Sequence, residues 1–300
     1  MEEIIKMTNK QTILIAGATG NIGGGAAVAL AKRGARVVLL GRYSDKLKTR
    51  VNLIRIALSE AQINYQDTDI AMLVIDFSDM ESVKHAAAEA MKRFPMINGL
   101  ILSVGVIIQN GPKILPSGHE VMFATNVMGQ FLLTQLLLKR MLKSDGLILH
   151  VINEDYKEID WEDLESIRNH KTRTAFIRTK TCNRVIAAEL ARRYAGKISS
   201  VAFSPPLIID KSDPELAKRW PSGFLGLIWR LLTRLLANPP AVAGEPIADL
   251  MLSYQDRSSI NGALFKLDKR VKKADKAMND EILGKRLWDE LVLLTEFKAE

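Results

Sequence analysis

The chain has 300 residues, 47% hydrophobic and 25% charged, which suffices for one substantial core and is cramped for two full domains. Its lone Cys182 excludes an internal disulfide framework, and His85, His119, His150 and His170 are too scattered to predict a metal site. The formal charge of +8 is spread along the chain instead of forming an aromatic-studded stripe, which argues against nucleic acid and for a basic protein holding an anionic small molecule.

The first apolar run, 12–16, has β-branched members and breaks into glycines. An Ala-rich stretch then resumes and stops at Gly34, which reads as strand, tight turn, helix. The pattern repeats, with strands predicted at 36–40, 71–75 and 100–104 and helices at 45–61 and 80–94. After a Gly/Pro connection over 111–118 come a long apolar helix at 121–142, a strand at 147–152, a helix at 172–194 and a strand at 198–203. Strands alternating with helices predict a parallel sheet covered on both faces, an α/β doubly wound sheet of the Rossmann type with six or seven strands. Past Pro205 and Pro206 the pattern is helical only, at 222–237, 242–254 and 281–296, and these segments are expected to cap the carboxyl edge of the sheet. The basic run 266–276 reads as a solvated surface stretch. A single domain over 1–300 is expected. No stretch reaches the roughly 20 uninterrupted apolar residues of a spanning helix, and 1–10 carries no signal-peptide core, so a cytoplasmic location is expected.

Gly17, Ala18, Thr19, Gly20, Asn21, Ile22 and Gly23 lie between the first strand and the first helix. Glycines there let the backbone approach a pyrophosphate, and the helix N-terminus offers free N–H groups and positive potential. A nicotinamide dinucleotide is the expected ligand. The second strand ends in Gly41 and Arg42, where an NAD-preferring protein would place an acid against the ribose hydroxyls. Arg42 can pair with a 2′-phosphate, which favours NADP over NAD; its other reading is a solvated loop cation. Asp76, before Phe77 at the end of the third strand, either accepts from the adenine amine or caps the helix that follows.

With these pieces in place the chain resembles the short-chain dehydrogenase/reductases, and its element order most resembles their retinol-dehydrogenase-like branch. The stretch from Asn126 to Thr134 is similar to the family helix that carries an active-site Asn, here Asn126. The stretch from Ala175 to Lys180 is similar to the helix that carries Tyr-x-x-x-Lys; further likeness lies at 159–164 and 287–290. The resemblance implies a cofactor crevice that also includes Ser103, Val104 and Gly105 after the fourth strand, Lys180, and Pro205 and Leu207 after the sixth. It also implies a substrate lid around 207–240 and pairing of copies through the helices of Asn126 and Lys180.

In the family the tyrosine exchanges the proton at the substrate oxygen, the lysine holds the nicotinamide ribose, and a serine polarises the carbonyl. Here Phe176 stands at the tyrosine's place, and the serine's place falls on Ile152 or Asn153, whose amide can still donate to an oxyanion. A proton donor is then to be sought at Tyr156, Glu154, Asp155, His150 or water. Two functions compete: an NADP-dependent reductase of an apolar carbonyl, imine or enone without the family tyrosine, and an inactive dinucleotide-binding protein that acts as a regulatory or structural partner. The apolar segment 222–237, punctuated by Arg230 and Arg234, suits a substrate lid, a dimer contact or a membrane-surface anchor.

Overall fold

The computed structural model describes residues 10–211, 236–253, 256–267, 269–271 and 275–298. Most of the apolar segment 222–237 and most of the expected lid at 207–240 lie outside the described residues.

The chain alternates through β1 (Thr12–Ala16), α1 (Asn21–Lys32), β2 (Arg36–Gly41), α2 (Ser44–Glu60), β3 (Ile70–Val74), α3 (Met80–Arg93) and β4 (Gly99–Leu102). There follow a long helix α4 (Val121–Met141), β5 (Leu147–Val151), α5 (Thr172–Arg193), β6 (Ser199–Phe203) and α6 (Ala241–Leu252). The chain then runs through β7 (Leu264–Lys266), β8 (Lys269–Arg270), α7 (Lys276–Asn279) and α8 (Glu281–Leu294).

Among the described residues eight strands form one sheet in the order β3-β2-β1-β4-β5-β6-β7-β8, parallel except for β8. The reversal of winding between β1 and β4 opens a crevice at the carboxyl ends of those strands, where such sheets bind ligands. The last two strands correct the expectation of helices alone after Pro206. They are three and two residues long, too short for an alternating pattern to show. They also give the basic run a structural part, since Lys266 ends β7 and pairs with Glu154.

Alternate residues of one strand feed opposite cores, as the two-residue strand period demands. From β1, Leu14 and Ala16 pack with Val83 of α3, Phe131 of α4, Val185 of α5 and Trp288 of α8. Ile13 and Ile15 pack instead with Ala27 of α1, Ile54 of α2 and Ile247 of α6. α6 and α8 therefore cover the faces of the sheet, not its carboxyl edge. Arg33 ties α6 to α1 through Glu245 at 2.7 Å and Asp249 at 2.5 Å.

α4 is long and apolar enough by composition to cross a membrane, and it is buried in the core. Its first turns widen into a π-helical stretch at Ala124–Met128 that surrounds Asn126. Such bulges gather at functional sites.

Candidate active site

The glycine loop closes over the end of β1. The Gly17 N–H donates to the Leu40 carbonyl at 3.2 Å, and the Gly20 N–H donates to the Gly17 carbonyl at 2.9 Å. Gly17 has φ +79°, a left-handed backbone that favours glycine. A Cβ on Gly23 would stand 2.5 Å from the Gly17 oxygen and 2.6 Å from Ser103 Oγ. Ser103 fills the floor beneath this turn and donates to the Ala16 carbonyl at 2.6 Å. The first turn of α1 carries no side-chain cap and no acid, which leaves its N–H groups for an anion. Close-set glycines above an uncapped helix start are a cradle that any side chain would fill, and a dinucleotide pyrophosphate fits it.

Asn21 sends its Nδ2 to the Ile208 carbonyl at 3.1 Å and thereby ties the loop to the segment after β6. Ile22 is half-buried against α1's core face, and Thr19 offers its carbonyl to Arg50 at 3.4 Å. Arg50, whose guanidinium lies over Gly24, was not singled out by sequence. Its signal was the spacing of Arg42, Lys46 and Arg50, four residues apart leading into and along α2.

Arg42 is half-exposed, lies 4.6 Å from the centre of the Tyr43 ring and stands 4.0 Å from Asp76. Lys46 faces the same ring at 5.4 Å. Asp76 does not cap α3; that role falls to Asp79, which accepts from the Glu81 N–H. Asp76 instead accepts from the N–H and hydroxyl of Ser78 at 2.9 and 2.7 Å, and Phe77 is buried in the core.

At the other end of the crevice, Lys180 is buried and donates to the carbonyls of Val104 at 3.0 Å and Val151 at 3.2 Å. Burial brings its ammonium down to about 8. Phe176, one helical turn earlier, holds its ring 5.8 Å from the Lys180 ammonium. Gly105, exposed, lies beside both. Asn126 is fully buried: its amide exchanges two hydrogen bonds with the main chain of Val106 and donates to Thr179. Its own carbonyl, freed by the π-turn, accepts from Gln130 at 2.5 Å and Asn183 at 2.9 Å. Gln130 and Asn183 escaped the sequence reading because a π-turn leaves no pattern of its own.

Asn153 follows the end of β5; its carbonyl accepts from Arg184 at 2.6 Å, and its buried Oδ1 has no partner among the described residues. Pro205 is half-buried and Leu207 exposed, with the Leu207 carbonyl bound by the Asn238 N–H at 2.9 Å.

The alternative donors occupy different surroundings. Tyr156 is exposed beside Lys157, Glu158 and Arg178, and Arg178 is two residues, about 200° around α5, from Phe176. Burial, with Glu158 and Asp275 nearby, raises its phenol. Glu154 pairs with Lys266, and Asp155 pairs with Arg173 at 3.0 Å. His150 is buried and held down to about 3 by desolvation and by the charge of Lys180, so its ring is neutral at pH 7.

A glycine cradle at the crevice between β1 and β4 of a doubly wound sheet defines a nucleotide-binding α/β protein. Residues 11–154 match the short chain dehydrogenase family model. Retinol dehydrogenase 14 of Mus musculus is 28% identical over 291 residues, covering 93% of this chain and 84% of the relative. By fold the chain is similar to an uncharacterised protein from Mycobacterium paratuberculosis, with a TM-score of 0.68, 20% identity, and 96% and 94% of the two chains covered. It is also similar to an actinorhodin polyketide ketoreductase solved with NADPH, with a TM-score of 0.64, 18% identity, and 86% and 95% covered. These findings support a place in the short-chain dehydrogenase/reductase family, on its retinol-dehydrogenase-like side, a family of oxidoreductases that bind a nicotinamide dinucleotide.

Proposed function

We propose that the protein is an NADP-dependent reductase of an apolar carbonyl, imine or enone, working with Phe176 in the position of the family tyrosine. The observation that carries the cofactor choice is the cationic corner beyond β2, where Arg42, Lys46 and Arg50 stand with no acid at the strand end. A 2′-phosphate carries charge that these side chains match, and a bare ribose hydroxyl does not. Asp76 stands 4.0 Å from Arg42, at the end of β3 where the adenine amine would lie in this reading. The ketoreductase neighbour, solved with NADPH, supports the same choice.

The dinucleotide supplies the hydride when bound. The chain's own residues do the rest: the loop from Gly17 to Gly23 holds the pyrophosphate, and Lys180 sits where the nicotinamide end would lie. Asn153, at the exit of β5, is the amide that would donate to a substrate oxygen in this reading. The apolar substrate class rests on the about half-exposed Ile107 and Leu207, which follow β4 and β6, and on the retinol named for the mouse relative. A peripheral membrane contact and a homodimer belong to the same reading and await direct measurement.

Arg42→Ala is expected to weaken NADPH binding about 10-fold, the worth of one exposed charge-assisted contact, and to leave NADH binding unchanged. Fluorescence titration of both cofactors reads this. Equal loss for the two would remove the 2′-phosphate from the proposal, and tight NADPH binding without oxidation by any carbonyl, imine or enone would favour the regulatory-partner reading.

A further inference from the structure

The reductase proposed above needs a proton at the reacting oxygen, and the Phe176 ring has none to give. The Lys180 ammonium has three N–H donors, and two are spent on the carbonyls of Val104 and Val151. Gly105 marks where the third can go. The point at which a Cβ would stand on Gly105 is 3.2 Å from Lys180 Nζ and 3.7 Å from Phe176 Cε2. Gly105 is exposed, so solvent reaches the residue that borders this notch. A ligand oxygen placed there would be within hydrogen-bond reach of Nζ and in van der Waals contact with the Phe176 ring.

We propose that Lys180 is itself the proton donor of this site, delivering its free N–H through the Gly105 notch to the reacting oxygen of a carbonyl substrate. This rests on the reductase reading. As the carbonyl carbon receives a hydride from a reduced nicotinamide dinucleotide, the oxygen takes the proton. The N–H bond breaks with its electron pair kept by nitrogen, an O–H bond forms, and water reprotonates the neutral amine once the alcohol leaves.

The surroundings make an acid of ordinary strength out of a weak one. Burial brings the ammonium from 10.5 to about 8, close to the working pH at which a general acid is most effective. Among the described residues Lys180 hydrogen-bonds only to main-chain carbonyls, so no carboxylate holds its proton. From β5, His150 faces it neutral. From α4, Asn126 and Gln130 are uncharged, and on α5 itself Arg184 is taken by Asp275 at 2.7 Å.

Two measurements test this. In protein labelled with 13C-lysine, the Cε resonance that vanishes in Lys180→Arg should titrate near pH 8; titration near 10.5 would overturn the proposal whatever the protein's activity. With NADPH and nonanal as probes, kcat/KM of the wild type should fall tenfold per pH unit above about 8. Lys180→Arg should lose at least about 100-fold in that rate while its NADPH affinity changes less than about threefold, and Gly105→Ala should lose rate by filling the notch. A pH profile flat to 10, or a Lys180→Arg variant that loses NADPH affinity and keeps its rate per bound cofactor, would make Lys180 a ribose anchor and overturn the proposal. NADPH that binds and is never oxidised by nonanal at any pH overturns it too. Failure to bind NADPH at all is the separate failure of the reductase reading.

Discussion

Gly23→Ala is expected to weaken NADPH binding by at least about 100-fold while leaving a folded protein. The new methyl would meet the Gly17 carbonyl at 2.5 Å and Ser103 Oγ at 2.6 Å. Neither can yield cheaply: Gly17 is pinned to Leu40 through its N–H, and Ser103 is pinned to Ala16 through its hydroxyl. The loop must therefore lift, and a displacement of about 1 Å is enough to cost on the order of 100-fold where several donors must converge on one group. Titration of the variant with NADPH, beside its thermal melt, checks this; an unchanged Kd would mean that the loop is not the pyrophosphate cradle.

His150 should make the protein acid-sensitive. Its folded value, about 3, lies below the 6.5 of an unfolded chain, so between these values the unfolded state binds the extra proton. The stability tied to the neutral ring is fully present above about 6.5 and is lost as the pH falls toward 3. The full loss is on the order of 4–5 kcal/mol, at about 1.4 kcal/mol per pH unit. His150→Gln should reduce the difference in unfolding free energy between pH 7 and pH 4 by about 3 kcal/mol. In the wild type the imidazole carbon resonances should not move between pH 7 and pH 4. An imidazole that titrates near 6.5 would contradict the burial of its unpartnered Nε2.

Strands and helices with long apolar periods were legible in the sequence to within a residue or two, because β1, β2, β4, β5 and β6 are mostly buried apolar runs and α2 to α5 show the helical spacing. The hairpin of β7 and β8 was not, since a two-residue strand of Lys269 and Arg270 carries no hydrophobic signal. The glycine loop was legible for the same reason that it works: only glycines tolerate the close approach of Gly17, Gly23 and Ser103. The inner end of the site was only half legible. Asn126 and Lys180 were found through family resemblance, but their partners depend on three-dimensional detail: a π-turn presents the Asn126 carbonyl to Gln130 and Asn183, and two strand ends supply the acceptors of Lys180. Tyr156 illustrates the limit in the other direction. It is near the end of β5 in sequence, and the loop that carries it sets it beside Arg178 on α5.

Calorimetric titration of the wild-type protein with NADPH and, separately, with NADH tests the reading of the site most directly. Micromolar binding of NADPH at least about 10-fold tighter than NADH is the expected result; no heat of binding with either dinucleotide would contradict it, leaving the glycine cradle and its cationic corner without the ligand their chemistry specifies.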